Sequence, residues 1–152
     1  MPFIIEINTD EQPHQPDRAR LKKAVRLVLQ DANIRTAEIS IAIVSDERMQ
    51  ELNRHYLQHD YPTDVLSFLL NHDEAAQSLE GEIIASSDYA AREAVRYGWS
   101  TDDELLLYVI HGCLHLVGYD DTMPAGKQAM RQAEAKYLAQ FKLEHRYEAE
   151  GD

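Results

Sequence analysis

Apolar positions along the chain recur in two rhythms, one of strands and one of helices. Phe3 to Ile7 is a short, mostly apolar run that predicts a strand. Glu38 to Val44 sets Ile39, Ile41 and Ile43 at every second position, the spacing of a strand with one buried face. Val65 to Leu70, behind a Pro62-Thr63-Asp64 turn, and Gly81 to Ala85 predict two more strands. In the helical rhythm, Leu21, Ala24, Val25, Val28 and Leu29 share one face of a helix that Asp17 caps and that runs to about Ala32. Asp46 caps a second helix, Glu47 to Leu57, with Met49, Leu52 and Tyr56 on its apolar side. Ser87 or Asp88 caps a third, which ends near Gly98. Ser100, Thr101 and Asp102 open a fourth, with Glu104 near the capping-box position. Its apolar run from Leu105 to Leu116 makes it central and buried on most sides, and Gly118 stops it. Pro124 suits the first turn of a long last helix reaching about Tyr147. Thr9 to Pro16 reads as a loop and Asn71 to Leu79 as a loop or hairpin connection. The acidic segment from Glu144 to Asp152 is expected to fray.

Four strands with helices between most of them give an α+β fold, a four-stranded mixed sheet packed with about five helices. The 152 residues fit a single domain spanning 1–152, and a hydrophobic content of 44% supplies a real core. No apolar run approaches the roughly 18 residues of a membrane span, and the N-terminus lacks the basic flank and apolar stretch of a secretory signal. Cys113, the one cysteine, permits no internal disulfide and suits a reducing, cytoplasmic setting. With 15 basic and 27 acidic residues the net charge is −12, which argues against non-specific coating of nucleic acid. The basic residues are nevertheless clustered: Arg18, Arg20, Lys22, Lys23, Arg26 and Arg35 are six of the fifteen. Arg18, Lys22 and Arg26 form one helical stripe, either a solvated face or a track for a phosphate backbone.

The densest chemistry lies in His111-Gly-Cys-Leu-His115-Leu-Val-Gly118-Tyr-Asp120-Asp121. Residues at i and i+4 stand on one helix face, so His111 and His115 can hold one ion through two imidazole nitrogens. Gly118 lets the chain turn back and brings Asp121 within reach of the same ion. Two imidazoles and one carboxylate leave a coordination position open, as catalytic sites do and structural zinc sites do not. The expected metal site therefore lies at the end of the central helix, with His111, His115 and Asp121 as ligands and Asp120 in a turn or supporting role.

This segment resembles the signature of the YbeY family, bacterial metal-dependent endoribonucleases linked to ribosomal RNA maturation: His-Gly-x-Leu-His-Leu-x-Gly-Tyr-Asp-His. A second block, Leu52-Asn53, Tyr56, Asp60 and Pro62-Thr63-Asp64-Val65-Leu66-Ser67-Phe68, resembles the family's LNxxYRxxDxPTDVLSF pattern, and Gly81-Glu82-Ile83 stands where the family has Gly-Asp-Ile or a variant. The resemblance covers nearly the whole chain. It implies a single-strand-specific, metal-dependent endoribonuclease, a hydrolase acting on rRNA in ribosome maturation and quality control. RNA and the small ribosomal subunit are the implied partners, with no DNA and no membrane.

Two positions depart from the family pattern. Asp121 stands where the family's third zinc ligand is a histidine. A carboxylate still binds zinc but lowers the residual positive charge, and the set then also suits iron, nickel or manganese. One divalent ion, zinc first, is expected. Leu57 stands where the family has an arginine that acts near the scissile phosphate, and a leucine cannot stabilise phosphate charge. Arg54 or His59 are candidates to compensate. With that arginine gone, a non-catalytic ribosome-assembly factor with a structural metal is the alternative reading. A metzincin-like metalloprotease also fits the His111, His115, Asp121 spacing, but Gly112 stands where such an enzyme has its general base.

Other polar residues have plainer readings. His55, His59 and His72 read as surface or loop residues, Ser67 as structural, and Cys113 as a small core residue facing away from the histidines. Asp64 reads as a brace for the turn before the third strand, with a general-base role as the alternative. Trp99 and Tyr97 are expected to pack at a helix end.

Overall fold

The structure, a computed structural model, describes residues 2–10, 15–57 and 64–145. Its elements are β1 (Phe3–Thr9), α1 (Arg18–Asp31), β2 (Thr36–Val44), α2 (Asp46–Leu52), a π-helical turn (Asn53–Leu57), β3 (Val65–Asp73), β4 (Ser78–Ser86), α3 (Ser87–Tyr97), α4 (Thr101–Leu116) and α5 (Pro124–Ala139). The strands form one mixed sheet in the order β1-β2-β4-β3. β1, β2 and β4 are parallel, and β3 runs antiparallel to β4 at the edge. This is the expected α+β architecture.

One face of the sheet is covered by helices. Phe3, Ile5 and Ile7 of β1, Ile39, Ile41 and Ile43 of β2, and Ile83 and Ala85 of β4 meet the buried side of α1 and the whole apolar run of α4. The five α1 residues picked out by periodicity, Leu21, Ala24, Val25, Val28 and Leu29, are all buried. A smaller cluster on the other face joins Met49 and Leu52 of α2 to Val44, Leu66 and Ile84. Helix α4 packs on α1, α3, α5, β3 and β4. Its approach to the sheet depends on Gly112, where a Cβ would lie 2.8 Å from Ser67 Oγ and 2.9 Å from Ile83 Cγ2. Ser67 Oγ donates to the Gly112 carbonyl oxygen at 3.0 Å across this contact.

Several boundaries differ from the sequence expectation. Of the two readings of the polar stretch after Leu70, the hairpin holds and the strands run further into it: β3 continues to Asp73 and β4 starts at Ser78, because backbone pairing needs no apolar side chains in solvent. The turn closes through Gln77 in a left-handed conformation (φ 54°) and through Asp73 Oδ1 accepting from Ala76 N. Three caps shift. Ser45, not Asp46, caps α2, and Ser86, not Ser87 or Asp88, caps α3. Asp46 instead accepts from Ser86 Oγ at 2.9 Å and pairs with Arg92. Ser100 caps α4 in a capping box closed by Asp103, since counting three residues on from Ser100 falls there. Glu104 is buried and accepts from Trp99 Nε1 at 2.8 Å.

Helix α2 gives way to the π-helical turn at Asn53, which the spacing of Met49, Leu52 and Tyr56 over so few residues does not distinguish from an α-helix. Helix α5 stops at Ala139 rather than near Tyr147. The chain turns back through Lys142 (φ 63°), and Phe141 and Leu143 pack against the core. His145 is consequently buried, 2% exposed, where a frayed end was expected. Residues 146–152, His59, Asp60, Pro62 and Thr63 lie outside the described residues.

Candidate metal centre

Helix α4 carries His111 and His115 one turn apart at its C-terminal end, with their rings edge-to-face at 80° and centroids 4.6 Å apart. The two Nε2 atoms are 3.0 Å apart. Beyond the helix Gly118 adopts φ 109°, a backbone conformation that favours glycine, and the chain reverses. That reversal brings Asp121 Oδ2 within 3.5 Å of His111 Nε2 and Asp121 Oδ1 within 3.5 Å of His115 Nε2. These three residues, drawn from one helix end and the turn after it, could hold a metal ion. The spacing fits one: metal–nitrogen bonds of 2.0–2.1 Å at tetrahedral angles put neighbouring ligand atoms about 3.4 Å apart.

The far side of each imidazole is also held. His115 Nδ1 donates to the Tyr119 carbonyl oxygen at 3.0 Å, and a carbonyl only accepts, so the proton sits on Nδ1. His111 Nδ1 lies 2.6 Å from Glu134 Oε2 on α5, and Glu134 Oε1 lies 2.6 Å from His145 Nε2. Both tautomers leave Nε2 with its lone pair towards Asp121. Burial works against charge on His111, but the Glu134 hydrogen bond and the charges of Glu134, Asp121 and Asp64 outweigh it and hold the imidazole above its ordinary pKa. Burial likewise pushes the Glu134 carboxyl up, while the hydrogen bonds from His111 and His145 win and hold it below the ordinary carboxylate value.

His111 and Asp121 open onto a cleft of about 310 Å³ whose wall includes Asp64, Lys127 and Arg131. Asp64 both braces β3, its Oδ1 accepting from Val65 N at 2.8 Å, and faces this cleft. Asp120 is exposed and accepts from Thr122 N, the turn role expected of it. Cys113 is fully buried in the core, and burial pushes its thiol up to about 12. Arg54, His55 and His72 are exposed, and none is among the residues that line the cleft. Gly112 faces the sheet, away from the histidines, so no base stands where a metzincin has one. On α1, Arg18 Nη1 donates to the Ile7 carbonyl oxygen and Arg20 pairs with Asp103 at 2.8 Å. Asp103 opens α4, twelve residues and about 18 Å along the helix from His115.

Sequence reasoning missed Glu134, His145, Lys127 and Arg131. One signal was present for Glu134: it falls on the stripe of Met130, Ala133, Tyr137 and Leu138, so a carboxylate interrupts the buried face of α5.

A helix-borne histidine pair and a following carboxylate, set under a mixed sheet and open to a cleft, define a domain built around a candidate single-metal centre. The Endoribonuclease YbeY family profile matches residues 5–142. An Endoribonuclease YbeY from Salinibacter ruber is 36% identical over 143 residues, covering 90% of this chain and 91% of the relative. One from Chloroherpeton thalassium is 42% identical over 120 residues, covering 79% and 83%. A solution structure from Thermotoga maritima shares the fold with a TM-score of 0.63 at 24% identity, over 91% of this chain and 92% of that one. The chain belongs to the YbeY endoribonuclease family.

Proposed function

We propose that the chain is a metal-dependent endoribonuclease that cuts single-stranded RNA during ribosomal RNA maturation. It would work in the cytoplasm with the small ribosomal subunit as its partner. The triangle formed by His111 Nε2, His115 Nε2 and Asp121 carries the reading: its sides of 3.0 to 3.5 Å suit one small divalent ion and leave a face open to the cleft. Zinc is the first choice for two imidazoles and a carboxylate at this spacing, and iron, nickel or manganese accept the same set. A bound ion supplies Lewis-acid polarisation of a phosphoryl oxygen or an activated water. Of the chain's own groups, His111, His115 and Asp121 hold the ion. Lys127 and Arg131, on the cleft wall, are placed to hold RNA phosphates in place of the family arginine, which is Leu57 here.

Incubation with single-stranded RNA, structured rRNA and casein, each with and without chelator, tests this reading. Chelator-sensitive cleavage of single-stranded RNA is the expected result. Cleavage of casein, or of RNA at full rate in chelator, would overturn it. Leu57 supports one second reading, an assembly factor that keeps the metal for structure. Co-sedimentation with ribosomal subunits without cleavage of any RNA would select it. Elemental analysis of protein purified without added metal identifies the ion.

A further inference from the structure

Among the described residues, Glu134 is one of few charged side chains in the interior. It is 3% exposed on α5, and His145 beside it is 2% exposed. Taking a carboxylate out of water is costly unless its oxygens are matched by donors. Both oxygens are matched here, Oε2 by His111 Nδ1 and Oε1 by His145 Nε2, each at 2.6 Å. The second donor has no part in the cleft, and the chain makes a turn through Lys142 to bring it back.

We infer that Glu134 and His145 are positioning residues for the metal centre, His145 fixing the Glu134 carboxylate so that it holds the His111 ring in place. The inference rests on the reading of His111 as a metal ligand. With Oε1 fixed by His145, the carboxylate cannot rotate, and Oε2 holds both the tautomer and the plane of the His111 ring. Nε2 then stays facing Asp121 and His115 Nε2, in position to take an ion. Without His145, Oε1 is left buried and unmatched, and the carboxylate relaxes towards solvent or draws in water, loosening His111. The segment after α5 thereby sets the affinity of a site to which it contributes no ligand.

Long-range ¹⁵N–¹H spectra of the metal-free protein test the hydrogen bonds without any substitution. Protons on His111 Nδ1 and His145 Nε2, both shifted strongly downfield, are expected. A His111 ring carrying its proton on Nε2 alone would overturn the proposal. Zn²⁺ affinity, measured by competition with a chromophoric chelator, reads the consequence. Glu134→Gln should weaken binding 10- to 100-fold, and His145→Ala about 10-fold, in protein whose circular dichroism is unchanged. In His145→Ala the His111 resonances should also broaden or split between tautomers, which a merely structural role for His145 would not produce. His111→Ala separates the two levels. If it binds Zn²⁺ as the parent does, the ligand assignment falls. If it abolishes binding while Glu134→Gln and His145→Ala bind as the parent does, the positioning role falls alone.

Discussion

His111 and His115 reach the centre from a single buried helix, whereas Asp121, and the Glu134 and His145 pair behind His111, reach it from the chain that follows Gly118. The first half is rigid by construction. Helix α4 is enclosed by α1, α3, α5 and the sheet, so the separation of its two imidazoles is set by helix geometry and little else. The second half depends on a contact between segments. The turn that carries Asp121 lies against the first turn of α5, where a Cβ on Gly126 would stand 1.9 Å from the Asp120 carbonyl oxygen. Ligands fixed by a helix tolerate local change, while a ligand fixed by tertiary contact can be lost through a residue that never touches the metal.

The largest effect should come from the rigid half. His111→Ala removes a proposed ligand and the partner of Glu134 together, and Zn²⁺ affinity measured by chelator competition should fall by at least about 100-fold, beyond the usual range for supporting residues. Affinity within tenfold of the parent would mean that the turn, not α4, dominates the site.

Gly126→Ala is the sharper break, because it acts only on the second half. The added methyl must displace the backbone at Asp120, so Asp121 should lose its present placement against the two Nε2 atoms. Affinity should drop about 10- to 100-fold, alongside a stability loss of about 1–3 kcal/mol from overpacking. Gly112→Ala is its counterpart on α4. Its methyl would meet Ser67 Oγ and Ile83 Cγ2 at under 3 Å and push the helix off the sheet. Urea denaturation should show a similar loss of about 1–3 kcal/mol, but metal affinity should change by less than about threefold, since the two histidines move together. Equal effects of the two substitutions on affinity would erase the distinction between the halves.

The same division explains what could be read from the chain before its structure. His111, His115 and the stop at Gly118 follow from a helical period and one residue of special conformation, both local properties. So do the buried face of α1 and the alternation in β2. Asp121 was legible because it follows Gly118 so closely that the turn leaves it few places to go. Glu134 and His145 were not, because their positions depend on how α5 docks and on a reversal at Lys142, a residue with no turn preference of its own. The β3–β4 hairpin was half-legible for a related reason: its outer rungs are held by backbone pairing in solvent, which leaves no apolar pattern.

The smallest expected effect concerns how the C-terminal end of α5 is pinned to α1. Asp31, at the end of α1, accepts from Tyr137 Oη at 2.7 Å and pairs with Lys136 Nζ at 3.2 Å. The Tyr137 hydrogen bond, then Lys136, hold the Asp31 carboxyl below its ordinary value of 3.8, while burial and the Asp31 contact push the Tyr137 phenol up. A carboxyl whose folded pKa is depressed stabilises the fold above its unfolded pKa, and that contribution disappears as pH falls through the folded one. Asp31→Asn should therefore destabilise the protein at pH 7, by less than about 1 kcal/mol because the side chain is half exposed and solvent screens it. The difference between variant and parent in urea denaturation should shrink as the pH is lowered below the ordinary carboxylate range. Zn²⁺ affinity should stay unchanged at pH 7. If it falls, the position of α5 at the metal centre is governed by its contact with Asp31 as well as by the contacts of Gly126 and Glu134.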